Sequence, residues 1–360
     1  MQKNDTALLL RLVRLNQARD DLPANTLFHA GPPYRGSPPG AVLAAAEQAA
    51  VIGGMAGSTG QARDLLEAGA IRLKPAQDYG LVTPLAQVTA PSMWCFEVGD
   101  DRYRAYSPLG EGPPPALRFG SDDPGCAVRA RDWCARAADA INRALHAPGI
   151  QVAPEKLMRQ ALEQGDDCHA ITAAGARLFL EALPDLDDDI RNDIQGNPGF
   201  VLGIWMAWAS WKLEVSRSAI AAIGGNGLAF GLRWRGRQDW NTVPATPSTG
   251  KLFAPDKAGQ SLGAIGDSAV VDTCGFGGQA LRHAPSLVEE WAASLPSGAL
   301  ERAGLVLDPV SGVVDPEKVR AHGLSPLINL AILDRDGAAA PIGRGFYCPP
   351  LTLFETGEQN

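Results

Sequence analysis

The sequence has little of what announces a metal centre, a disulfide scaffold or a membrane span. It contains only five histidines, and none stands in H-x-x-x-H or H-E-x-x-H spacing, so a histidine-built metal site has no footing. The six cysteines (Cys95, Cys126, Cys134, Cys168, Cys274 and Cys348) form no C-x-x-C pair and no short framework spacing, which fits reduced thiols in a cytoplasmic protein. No G-x-S-x-G elbow, P-loop or cofactor motif is present. The longest apolar stretch, 200–211, falls far short of the ~20 residues that cross a bilayer, and it reads as a buried helix. The apolar run before Arg11 is too short for a secretory signal core. Positive charge is in deficit: Lys and Arg total 32 against 40 Asp and Glu, a formal net charge of -8, with no dense basic stretch. That balance argues against nucleic acid as a partner, yet it permits a small anion held locally by backbone N–H groups.

What the chain has in abundance is glycine and proline, 40 and 28 residues in 360, spread along its length. That distribution predicts irregular loops around solid cores rather than a low-complexity tail. The length calls for two or three domains. Apolar spacing predicts a starting helix over 6–19, a short strand breaking into a Gly/Pro turn over 26–33, helices over 40–50 and 58–69, and strands near 71–75, 94–98 and 103–106. From 126 to 212 the texture is almost wholly helical, with an acidic run at 185–189 reading as a loop or solvated helix start. Beyond it, β-like runs at 227–234, 268–271 and 304–307 alternate with turns. The expected architecture is α+β: two α+β domains, 1–122 and 218–360, flanking a helical middle domain, 123–217.

The candidate site is the run 266–285, GDSAVVDTCGFGGQALRHAP. Gly275, Gly277 and Gly278 lack the Cβ atoms that would keep a ligand from the main chain, and consecutive N–H groups leading into a helix start would form a concave anion trap. The other reading is a tight strand-to-helix turn with no ligand. A dinucleotide site is disfavoured, because Pro285 would cut short the helix that such a fold needs. A second cluster, Gly224-Gly225-Asn226-Gly227, predicts a turn with positive φ; Arg233 beyond it either offers a fork to a carboxylate or is a surface residue of a hairpin. Asp166-Asp167-Cys168-His169 is the single cluster of acid, thiol and imidazole; it supplies either an acid–base group or a helix cap.

Taken in order, the runs at 28–33 (FHAGPP), 106–112, 118–120, 165–169, Asn226-Gly227 with Phe230-Gly231-Leu232-Arg233, 266–285 and 325–329 resemble the AllG (YlbE) family, over nearly the whole chain. The resemblance implies a cytoplasmic subunit working in an oligomeric complex with FdrA-type and other carbamoyltransferase subunits. That complex moves a carbamoyl group between oxalurate and phosphate. It implies a small anionic substrate and no cofactor. Read as an enzyme, the chain would draw catalytic groups from His169, Asp78 and Asp267, and substrate contacts from Gly31, Glu111, Asn226, Gly227, Arg233, Ser268, Gly275, Gly277, Gly278 and Asn329. The chain departs from the family where a Cys-His-His cluster is usual, reading Ala76-Gln77-Asp78. It departs again at Pro108-Leu109-Gly110-Glu111-Gly112, Gly225, Leu228, Asn329-Leu330-Ala331 and Asp334. Two readings follow. One is a diverged enzyme or enzyme subunit, with Gln77, Asp78 and Arg344 as replacement polar groups; the other is a non-catalytic binding or scaffold subunit.

Overall fold

The computed structural model describes residues 6–110, 112, 114–337 and 340–355, so Glu111 lies outside the described residues. The chain opens with a strand, Leu8–Arg14, and not with the expected helix; only Leu15–Ala18 is helical. The strand pairs antiparallel with Trp94–Gly99, which pairs in turn with Arg104–Pro108. A register shift between Leu9 and Arg11 explains the misreading: buried side chains then fall at Leu9, Leu12 and Val13, the spacing of a helix face. Opposite the bulge, the buried Glu97 carboxylate takes both Arg11 and Arg104 at 2.6 Å.

Next comes a crossover unit. Strand Thr26–His29 leads through helices Gly40–Ile52 and Thr59–Glu67 to the parallel strand Arg72–Pro75, and Val88–Thr89 adds an antiparallel edge. The second helix starts where Ser58 Oγ accepts the Gln61 N–H at 3.2 Å.

The middle of the chain is helical as expected: Gly125–Leu145, Pro154–Leu162, Ala173–Ala182, Asp188–Gln195 and Leu202–Val215. The last of these buries Trp205, Trp208 and Trp211. It packs on the strands Trp94–Gly99 and Arg104–Pro108 on one side and on the short helix Ala269–Thr273 on another. One apolar core runs from Phe96 through Trp133 and Trp208 to Phe276, drawing on all three stretches of sequence.

In the last third, a sheet in the order Ile265–Gly266, Ile220–Asn226, Ala229–Trp234, Trp240–Pro244 lies beside a second, Thr249–Leu252, Gly343–Tyr347, Ile328–Ile332. Two expectations fail here. The runs 268–271 and 304–307 are not strands but fall mostly in helices Ala269–Thr273 and Arg302–Val306, with Ser268 just before the first and Leu307, in an isolated bridge to Val314, just after the second. These are short buried apolar segments, in which period 2 and period 3.6 cannot be told apart. As expected, no long helix follows the glycine turn: only the single turns Gly277–Gln279 and Leu281–His283 precede Pro285, which opens helix Pro285–Trp291, where its missing N–H is harmless. The fold is α+β. Among the described residues no helix is long and apolar enough to cross a membrane, no cysteine is disulfide-bonded, and no group of three or more His, Cys, Asp or Glu is placed to hold a metal.

Candidate functional site

Two fully buried aspartates organise the run 266–285. Asp267 follows the edge strand Ile265–Gly266 and reaches across to the first third of the chain. Its Oδ1 accepts the Gly31 N–H at 2.8 Å and Gln77 Nε2 at 2.6 Å, while Oδ2 accepts the Thr83 N–H at 2.9 Å. Its own N–H donates to the Thr83 carbonyl at 3.0 Å. Burial pushes the carboxyl up to about 7, against the three donors that pull it down. Gly31, at φ +73°, lies so close to Gly225 that a Cβ would overlap the Gly225 backbone. Both Gly31 and Asp267 are therefore occupied in joining the chain's two ends, with every donor aimed at Asp267 coming from the protein itself.

Asp272 does different work. Its Oδ1 accepts the N–H groups of Gly278 at 2.6 Å and Asn329 at 2.9 Å, and its Oδ2 meets His169 Nδ1 at 2.7 Å. Burial lowers the imidazole pKa, but the charge and hydrogen bond of Asp272 outweigh it and raise the value above that of an ordinary histidine. The same bond sets the ring so that Nδ1 faces Asp272.

The glycine loop differs from the expected anion trap. Its amides are engaged internally: Gly275 N–H with Asp272 O at 3.1 Å, Gly277 N–H with Asp167 O at 2.7 Å and Gly278 N–H with the Asp272 carboxylate. A Cβ on Gly277 would overlap Asp272 Oδ1, and one on Gly278 would overlap the Leu327 carbonyl. The glycines are needed for close approach of protein to protein, with the Asp272 carboxylate filling the place of an anion.

The space for a ligand lies alongside. A cavity of about 380 Å³ opens between the three stretches of the chain, lined by Gln87, Arg118, His169, Asn197, Ser268 and Arg344 among apolar neighbours. Ser268 Oγ is buried without a hydrogen-bond partner, and so are both amide atoms of Gln87. A buried polar group left unpaired costs about 1–3 kcal/mol, so a polar ligand group or water meeting these three atoms would relieve that cost. Arg344 is held by two 2.8 Å bonds to Glu290, and Arg118 lies over the Phe119 ring with Nη2 3.3 Å from Asn197 Oδ1.

Of the residues singled out from sequence, the structure brings His169, Ser268 and Arg344 to this cavity. Asp78 and Arg233 lie elsewhere, paired with each other at 3.2 Å, with Trp240 Nε1 donating to Asp78 at 3.1 Å. Burial raises the Asp78 carboxyl against the pull of Arg233. The Arg233 fork is thus turned to a carboxylate of its own chain. Asn226 and Gly227 build the hairpin: Asn226 Oδ1 accepts the N–H groups of Leu228 and Ala229, and Gly227 takes φ +85°. Asn329 donates Nδ2 to Asp167 at 2.7 Å. Asp166 accepts the N–H groups of Ala174 and Gly175, the helix-cap alternative for that residue. Gln77, of the divergent loop, spans Ile223 and Asp267. Sequence reading missed Gln87, Arg118 and Asn197 as lining residues; a lone Gln or Asn has no spacing signature, and Arg118 stood out only as part of the run 118–120.

A family model described as oxamate carbamoyltransferase subunit AllG matches residues 71–268. The chain is 29% identical over 387 residues to the uncharacterized protein YahG of Escherichia coli K12, covering 96% of this chain and 81% of that one. It is 27% identical over 370 residues to the oxamate carbamoyltransferase subunit AllG of the same organism, covering 92% and 87%. Among solved structures, a conserved protein of unknown function from Enterococcus faecalis V583 superposes with a TM-score of 0.84 at 26% identity, covering 97% of this chain and 92% of that one.

Proposed function

This chain belongs to the family of the oxamate carbamoyltransferase subunit AllG, and from that premise we propose that it binds a small carbamoyl-bearing anion in the cavity beside His169 and takes part in carbamoyl transfer. Membership carries a carbamoyltransferase-related role; the substrate, the residues and the chemistry are the proposal. The observation that supports it is the His169–Asp272 pair placed at a cavity that also presents Ser268, Gln87, Arg118 and Arg344. Attack on a carbamoyl carbon builds negative charge on its oxygen. The glycine amides are bonded inward, so the donors assigned to that oxygen are the Ser268 hydroxyl and the Arg344 guanidinium. His169, with Asp272 fixing Nδ1, exchanges the proton through its other nitrogen. Other subunits of the same transferase supply whatever the single chain lacks.

The rival reading, a non-catalytic subunit, is favoured by one observation: Gln77 and Asp78, in the divergent loop, are committed to internal bonds. The transfer between oxalurate and phosphate, followed with the chain and its partner subunits present, separates the two. In the catalytic reading His169→Asn lowers the rate by about a hundredfold or more, the scale of a lost general acid–base group. An unchanged rate would leave the chain as a scaffold.

A further inference from the structure

Gln87 has a chemistry that the reading above does not use. The side chain is 1% exposed, lines the cavity and has neither Oε1 nor Nε2 hydrogen-bonded. Its backbone is anchored on both sides, the N–H donating to the Pro84 carbonyl at 3.0 Å and the carbonyl accepting from Thr83 Oγ1 at 3.2 Å. Leu85, at φ 50°, turns the chain between them, and Thr83 is bonded in both directions to Asp267. Asp267 immediately precedes Ser268, so a single clamp sets Gln87 and Ser268 on the same cavity.

A primary amide offers an acceptor and a donor side by side. Its complement is a planar group with N–H and C=O on one edge, as in a carboxamide, a ureide or a carbamoyl ester. A carboxylate satisfies Nε2 but sets its second oxygen against Oε1, lone pair to lone pair. We infer that Gln87 determines specificity: it reads the carbamoyl or carboxamide edge of the ligand and discriminates against the corresponding carboxylate. The inference rests on the proposed function, in that the cavity must accept a small carbamoyl-bearing anion at all.

Calorimetric titration of the chain with oxamate and with oxalate, which exchanges the amide for a carboxylate and so adds one negative charge, tests it through the change in their ratio on substitution. The wild type is expected to prefer oxamate by about tenfold or more, since a site built to hydrogen-bond a group rejects an analogue that leaves its polar atoms unpaired. Gln87→Met keeps the side-chain volume without the polar edge and should reduce the preference to about threefold or less, by weakening oxamate while oxalate affinity stays. Gln87→Leu, which likewise removes both polar atoms, should also lose the preference and serves if the Met variant does not fold. An unchanged ratio in a folded variant that binds both ligands, or a wild type that binds both alike, overturns the inference and leaves the cavity reading intact. Failure of the wild type to bind either ligand removes the cavity reading, and this inference with it.

Discussion

Asp267 lies just before a short helix and Asp272 within it; both are fully buried, and they have opposite fates. Asp267 spends its carboxylate on donors from the far end of the chain, Gly31, Gln77 and Thr83, and shares none of it with a titratable base. Asp272 divides its oxygens between two backbone amides and an imidazole at a cavity. A buried carboxylate with only fixed donors is a joint; one bonded to a histidine beside a solvent-sized space is equipped for proton transfer. The difference lies in the partners and not in the local sequence.

The comparison is broken most severely at Asp267. Asp267→Ala leaves two backbone amides and the Gln77 amide without their acceptor, so about 3 kcal/mol of stability should vanish, seen as a lower urea midpoint at unchanged slope. A loss below about 1 kcal/mol would mean that the joint is not one. Asp272→Asn should be milder, about 1–2 kcal/mol, because the amide oxygen still accepts. It carries a second signature. In the wild type the His169 pKa is raised, so its stabilisation is complete below the unfolded value of about 6.5 and fades as pH rises through the folded value. Oxamate affinity should follow the same imidazolium and fall with rising pH. Removing the Asp272 charge should move that fall to lower pH, and titration calorimetry across pH 5 to 9 would register it; an unmoved midpoint would show that His169 is not the titrating group. His169→Asn should lose about 1 kcal/mol and flatten the pH dependence of binding altogether. Smallest is Asp78→Asn, which breaks a half-exposed ion pair with Arg233: about 0.5 kcal/mol in thermal unfolding and the wild-type affinity for oxamate. A weakened affinity there would return Asp78 and Arg233 to the binding machinery.

The helices between 125 and 215 were legible because their apolar stripes are long, and the crossover Thr26–Pro75 because strand, Gly/Pro turn and capped helix succeed one another. The first strand was misread because a bulge gives it a helical spacing, and helix Ala269–Thr273 because five buried residues have no period. In the candidate site the sequence singled out His169, Ser268 and Arg344, but it assigned the ligand to the glycine loop beside them.

By itself, the sequence determined the α+β class, the family resemblance and the need for missing Cβ atoms at 275–278, since composition, periodicity and side-chain size are local properties. Only the tertiary structure decided what approaches those glycines, and the answer was the protein's own carboxylate and carbonyls. Only it, too, decided that Gln87, Ser268 and His169, drawn from separate stretches of chain, share one cavity. Hydrogen-bond partners are chosen by what the fold brings within 3 Å, and no spacing along the chain encodes that distance.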